Sequence, residues 1–347
     1  MTHRLVVVLT ALGAGLLIAA GLAAAQADDA AAGPLSPLDY IEIRHLVARY
    51  AYALDSGAAD GYAYADLFTS DGVFTGMNQG PTGRSYAGRD TLAGLARGGR
   101  RGPLYVSHFI TNVVIEPAPG GARGTQYLAI LALGDGQAPH AVDHGGRYED
   151  SYVRTPAGWR FKSRTFYGSE SGQAPTQLTK QPAVPGLSRD QLSFTPPAPV
   201  AAPAASLTVD DYLEIQKLVT SYPYALDTGA DDGYMYADLF AEDGEFIRPY
   251  TVGRDALAQL ALDQPHGPEY VRHYLMNQLI EPSAQGATGK QYLAVIDIGE
   301  AGRPGEIFVG GHYEDEYVET ADGWRFRRRE FIPSRSGAQP PEAGRGQ

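Results

Sequence analysis

The stretch DYIEIRHLVARYAYALDSGAADGYAYADLFTSDGVF, residues 39–74, decides how this chain is built, because the chain contains it twice. Residues 211–246 read DYLEIQKLVTSYPYALDTGADDGYMYADLFAEDGEF, identical at 24 of 36 positions, without a gap, at a shift of 172. Farther along the shift settles at 165. There His108 matches His273, Gln126–Ala129 matches Gln291–Ala294, and Trp159 matches Trp324. A period of that length marks a duplicated domain, since solenoid repeats are several times shorter. The first copy is placed at 36–170 and the second at 207–335. Between them, 171–206 is rich in proline and alanine and reads as an extended linker. Residues 336–347 read as a disordered tail.

Within each copy the same plan repeats. Ser36-Pro37-Leu38-Asp39 carries an N-cap, a proline at the first helical position and a capping-box acid, and Thr208 with Asp211 repeats the cap. Ile43, Leu46, Val47, Tyr50, Ala51 and Leu54 then recur at helical spacing. A short second helix is expected over about 61–69, and Asp71-Gly72 turns into a strand at Val73 and Phe74. The run GRDTLAGLA, 88–96, opens a third helix. Four strand-like runs follow, at 105–116, 125–133, 145–155 and 158–167. Helices followed by a meander of strands give an α+β domain, a curved and mostly antiparallel sheet wrapped around N-terminal helices. Such a cone-shaped barrel can hold a cavity. Two local departures are expected. Pro223 lacks the N–H its helix needs and should kink it. The Gly-Gly pairs ahead of Tyr148 and Tyr313 call for a bulge or a close backbone approach.

The chain has 347 residues and a formal net charge of −12, or −13 once Arg4 is removed with residues 1–27. That acidity argues against nucleic acid and anionic membranes as partners. With no cysteine, neither disulfides nor thiolate chemistry is available. Residues 1–27 combine a basic start, an apolar run and the small-residue end Ala25-Gln26-Ala27. This reads as a signal peptide and predicts a periplasmic or secreted protein. The alternative for the same apolar run is a membrane anchor. No phosphate loop, dinucleotide fingerprint or G-x-S-x-G elbow is present, and no cofactor or metal is expected.

The chemistry rests on residues that recur. Asp55 ends the apolar stripe of the first helix, four residues after Ala51, and Asp227 repeats it. Two readings stay open. Either the carboxylate caps the turn DSGAAD, or it faces a cavity as an acid–base group. His108 and His273 fall in strands, where alternation puts Val106, His108, Ile110 and Asn112 on one face, and Val271, His273, Leu275 and Asn277 on another. A satisfied core histidine competes with a cavity base, and the recurrence of histidine with asparagine in otherwise different strands favours the cavity. Tyr50, Tyr64 and Tyr148, with Tyr222, Tyr236 and Tyr313 in the second copy, are divided between filling the core and lining the cavity. His144 is specific to the first copy, where the second has Val309.

These runs, together with SHFITN and GGRYEDSYVRTPAGWRFKSRTF, resemble the SnoaL-like branch of the nuclear-transport-factor-2-like superfamily, which includes polyketide cyclases and scytalone dehydratase-type enzymes. The resemblance covers about 38–168 and 210–332. It implies a cystatin-like fold and an acid–base role shared by Asp55 with His108, and by Asp227 with His273. The scytalone dehydratase type has a second histidine on the following strand, which TQYLAILAL and KQYLAVIDI lack.

The resulting expectation is a cofactor-free dehydratase, isomerase or cyclase acting on a small apolar cyclic or aromatic carbonyl or hydroxyl compound. A non-catalytic module binding a small ligand or a protein is the alternative. Both copies active, or one active and one structural, remain open. As members of this superfamily pair through sheet faces, the two copies are expected to form an intrachain pseudo-dimer.

Overall fold

The computed structural model describes residues 33–77, 83–98, 105–133, 141–169, 206–263, 271–297 and 306–334. The expected signal peptide at 1–27, the linker apart from Ser206, and the tail at 336–347 lie outside the described residues. No described helix is long and apolar enough to cross a membrane.

Helix α1 spans Pro37–Ser56, and both of its ends are built as its sequence dictates. The Ser36 hydroxyl accepts from the Asp39 N–H at 3.2 Å, and the Asp39 carboxylate accepts from the Ser36 N–H at 2.8 Å. The other Asp39 oxygen accepts from Trp159 Nε1 at 3.0 Å and from Arg154, so the cap also ties the helix to the closing strand. Burial works against that charge, but the bonds from Ser36 and Trp159, with Arg154 nearby, hold the carboxyl below its usual range. Gly57, at φ 57°, closes the helix in the left-handed conformation. A 3₁₀ turn at Ala58–Gly61 leads into α2, Tyr62–Ala65. The second helix is therefore shorter than the sequence suggests. Gly61 (φ 83°) is pressed so closely on the next helix that a Cβ would lie 2.1 Å from the Ala93 carbonyl, and the chain is already a strand by Phe68.

The strands β1 (Phe68–Met77), β2 (Arg84–Ala87), β3 (Tyr105–Ala118), β4 (Gly121–Leu133), β5 (Ala141–Thr155) and β6 (Gly158–Gly168) form one sheet, with α3 (Arg89–Gly98) between β2 and β3 in sequence. Its order is β2-β1-β6-β5-β4-β3. Only β1 and β6 run parallel, and β3 is left as a free edge. The second domain repeats this with α4 (Val209–Thr228), α5 (Tyr234–Ala237), β7 (Phe240–Ile247), β8 (Thr251–Val252), α6 (Arg254–Asp263), β9 (Val271–Ser283), β10 (Gly286–Asp297), β11 (Glu306–Thr320) and β12 (Gly323–Pro333), in the order β8-β7-β12-β11-β10-β9. The α+β architecture is as the sequence predicts, in two tandem copies. Helix α4 is continuous over Val209–Thr228 with Pro223 inside it. The expected close approach at the Gly-Gly pairs occurs: a Cβ on Gly146 would meet the Tyr167 carbonyl at 2.2 Å, and one on Gly311 the Ile332 carbonyl at 2.4 Å.

Beneath α1 the core is not purely apolar. Arg164, with no exposure, grips the Asp150 carboxylate through Nε at 2.8 Å and Nη2 at 2.6 Å. Gln126 (2.5 Å) and the Tyr152 hydroxyl (2.7 Å) donate to the same carboxylate. The guanidinium lies over the rings of Tyr50 (3.9 Å), Tyr148 (4.2 Å) and Phe161 (4.3 Å). Arg329, Asp315, Gln291, Tyr317, Tyr222, Tyr313 and Phe326 repeat the arrangement in the second domain.

Candidate active site

Asp55 lies in the last turn of α1, and its carboxylate points away from the turn that follows. That turn is closed by Gly57 and by the Ser56 hydroxyl, which accepts from the Ala58 N–H at 3.1 Å. The carboxylate meets the free edge of β3 instead. Its Oδ2 accepts from the His108 backbone N–H at 2.9 Å, and its Oδ1 bonds the His108 ring at Nδ1. A third donor comes from the second domain, where the Tyr292 hydroxyl reaches the same Oδ2 at 2.8 Å. The Asp55 side chain has no exposure and the His108 side chain retains 17%. An ionised carboxylate on Nδ1 fixes the tautomer: Nδ1 carries the proton, and Nε2 keeps a lone pair for a substrate.

The second domain forms the same pair more loosely. Asp227 accepts from the His273 N–H at 3.2 Å and bonds its Nδ1 at 2.5 Å, with 8% of the aspartate side chain exposed. Strand register adds a further contrast. Ile130 on β4 is opposite His108 on one side and His144 on the other, so the two histidines stand in one row on one face, two strands apart. That spacing is roughly 10 Å. In the second domain the row is His273, Val295 and Val309.

The asparagines depart from the expected alternation. A bulge in each strand turns Asn112 (φ 54°) and Asn277 (φ 57°) into the left-handed region and off the histidine face. Asn112 is exposed. Asn277 is buried, but its amide is engaged with the first domain: Oδ1 accepts from the Ile110 N–H at 2.9 Å and Nδ2 donates to the His108 carbonyl at 2.9 Å.

Of the tyrosines named from the sequence, Tyr50, Tyr148, Tyr222 and Tyr313 belong to the arginine cages, while Tyr64 packs on Tyr50 and Phe68 and Tyr236 on Tyr222 and Phe240. Tyr50, Tyr64 and Tyr148 are at most 2% exposed, as are Tyr222 and Tyr236, with Tyr313 at 3%. Tyr50 and Tyr148 share a hydroxyl contact of 3.3 Å, as do Tyr222 and Tyr313. Burial raises all these phenols, so near neutral pH they are protonated donors and not bases. His144 is half-buried with its ring 5.7 Å from that of Phe166.

A family model described as a SnoaL-like domain matches residues 37–165 and again residues 207–330. The chain belongs to the SnoaL-like family. Comparison with curated proteins finds no match. Among solved structures it is similar to an NTF2-like protein with a cystatin-like fold from Novosphingobium aromaticivorans, at 24% identity over 45% of this chain and 90% of that one, TM-score 0.33. It is also similar to Rv3472 of Mycobacterium tuberculosis, a protein of unknown function, at 27% identity over 37% and 79% of the two chains, TM-score 0.33. A third is ActVI-ORFA from Streptomyces coelicolor, at 24% identity over 35% and 96%, TM-score 0.32.

Sequence reasoning missed two parts of these SnoaL-like domains. Arg164 and Asp150 were signalled only by their recurrence as Arg329 and Asp315 on strands that are otherwise apolar on that side. Tyr292 recurs as Tyr127 within QYLA, but nothing in one strand shows what its outer face will meet.

Proposed function

We propose that the chain is a cofactor-free general acid–base enzyme of the dehydratase, isomerase or cyclase type. Its substrate is a small, largely apolar cyclic or aromatic carbonyl or hydroxyl compound. The observation that carries this reading is the fully buried Asp55 carboxylate held on His108 Nδ1, while 17% of the His108 side chain stays exposed. In the proposed reaction His108 Nε2 removes a proton from the carbon next to a carbonyl, and Asp55 stabilises the imidazolium that forms. The same Nε2–H then returns the proton, either to a departing hydroxyl (elimination) or to another carbon (isomerisation). His144, opposite Ile130 in the same row, is proposed as a second group facing the ligand.

Two further proposals complete the reading. The two domains act as an intrachain pseudo-dimer, supported by the ion pair of Arg49 with Glu281 at 2.8 Å, the Tyr52 hydroxyl on the Asn277 carbonyl at 2.8 Å, and the bonds of Tyr292 and Asn277 to the first domain. The enzyme works in the periplasm or outside the cell, supported by the sequence of residues 1–27 alone.

Mass spectrometry of the protein purified under native conditions identifies a retained compound, and turnover of that compound is then compared in the parent, H108A and H273A. The expected result is a fall of about 10²–10⁴-fold in kcat for H108A with folding intact. A bound compound that no variant and no parent converts would favour the non-catalytic module. A strongly destabilised H108A with unchanged affinity would make His108 a core residue.

A further inference from the structure

The two copies are near-identical in their pairs but opposite in what covers them. Tyr292 has no exposure, while its counterpart Tyr127 is 56% exposed. Tyr52 has no exposure, while its counterpart Tyr224 is 68% exposed. Asn277 is buried and Asn112 is exposed. In each case the member that lies between the domains serves the first domain's pair.

The free edge of β3 explains what they do there. An edge strand presents backbone groups without partners, and three of them flank the catalytic histidine: the His108 N–H, the His108 carbonyl and the Ile110 N–H. Asp55 takes the first, and Asn277 takes the other two in one two-point contact. Tyr292 then passes the edge. Its ring packs at 4.7 Å from Tyr52 and 5.4 Å from Phe109, and its hydroxyl gives Asp55 Oδ2 a second hydrogen bond. A buried carboxylate with donors on both oxygens is fixed in rotation, and the imidazole it holds is fixed with it. In the second domain the copy that would supply this donor, Tyr127, faces solvent, and Asp227 is both more exposed and farther from the His273 N–H.

We infer that the working site is built by both domains: Tyr292 is a positioning residue for the Asp55–His108 pair, Asn277 fixes the strand that carries it, and each chain therefore completes one site, in the first domain. The duplication has divided the labour, with one copy holding the chemistry and the other clamping it. This rests on the reading that Asp55 and His108 do the chemistry.

The test is Tyr292→Phe in the full chain, which keeps the ring between Tyr52 and Phe109 and removes only the hydroxyl. Tyr127→Phe is the matched control. Proton and nitrogen NMR of the histidine rings, assigned with H108Q and H273Q, reads the coupling without any substrate. In Y292F the Asp55 carboxylate loses a donor and becomes a stronger acceptor. The His108 Nδ1–H resonance should therefore move, while that of His273 stays where it was. Y127F should move neither histidine. With a substrate in hand, Y292F should lower kcat more than it changes KM, and Y127F should change neither. An unmoved His108 in Y292F, or equal shifts of His108 and His273, would overturn the inference even if the enzyme reading stood. A shifted His108 in a protein that converts nothing would sink the enzyme reading and leave the coupling intact.

Discussion

At the scale of single residues, the least expected feature is a charge with no access to water. Burial disfavours the Arg164 cation, yet the Asp150 carboxylate and its two hydrogen bonds raise the guanidinium above its ordinary value. Removing one partner strands the other, whereas replacing both removes the desolvation cost along with the attraction. Arg164→Leu should therefore cost the first domain about 3–5 kcal/mol, while the double change with Asp150→Leu should cost less than the single one. Urea unfolding followed by tryptophan fluorescence checks this, because Trp159 in the first domain and Trp324 in the second are the chain's only two tryptophans. If the double variant were the least stable of the set, the pair would be contributing net stability and not only specificity.

At the scale of elements, the two glycines that precede Tyr148 differ in what surrounds them. A Cβ on Gly146 would sit 2.2 Å from a backbone carbonyl of β6, which cannot give way, whereas one on Gly145 would have its nearest neighbour at 3.5 Å. Gly146→Ala should cost about 1–3 kcal/mol through forced displacement of β5 from β6. Gly145→Ala should stay within about 0.5 kcal/mol. Thermal melts of the two variants separate the cases, and equal effects would mean that the sheet yields at this point. This close approach was legible in the sequence, as were both helix caps, because each depends on residues next to one another in the chain. The pairing of Asp55 with His108 was not: recurrence in two copies marked each residue, and only the resemblance to scytalone dehydratase-type enzymes implied that they act together. The face of Asn112 and Asn277 was not legible. Alternation assumes a regular strand, and one extra residue at the bulge turns every later side chain. Nor was the shortness of α2, since the close contact of Gly61 with Ala93 comes from a helix about 30 residues away.

At the scale of the whole molecule, duplication supplied two equal domains, and their unequal contact made one of them different. That inequality was beyond the reach of the sequence, which shows Tyr52 and Tyr224 or Tyr127 and Tyr292 as equivalents. It also has a consequence for acid stability. His45 on α1 is buried where the domains meet, with its ring 5.3 Å from Tyr212 of α4, beside a cleft lined by Glu42, Arg49, Arg160 and Glu281. Desolvation, with Arg49 adding like-charge repulsion, lowers its pKa to about 3. In the unfolded chain it titrates near 6.5. The unfolded state therefore binds the extra proton first, so this contribution is complete above pH 6.5 and is lost as the pH falls from there towards 3. The expected loss is about 1.4 kcal/mol per pH unit inside that window. Asp39 and Glu314, the latter held at about 2 by His312 and Lys290 beside it, contribute fully above the ordinary carboxylate pKa of about 4 and lose that contribution only as the pH falls from there. Between pH 6.5 and 5 the His45 effect can thus be read apart from theirs. Urea midpoints of the parent and of His45→Phe at pH 7.5, 6.0 and 5.0 should diverge, with the parent falling and H45F nearly level. Because the proton must be admitted where the domains meet, small-angle scattering of the parent should show the pair opening as its midpoint falls. Parallel pH dependences in the two proteins would mean that His45 already lies open to water, and that the domains are not held together there.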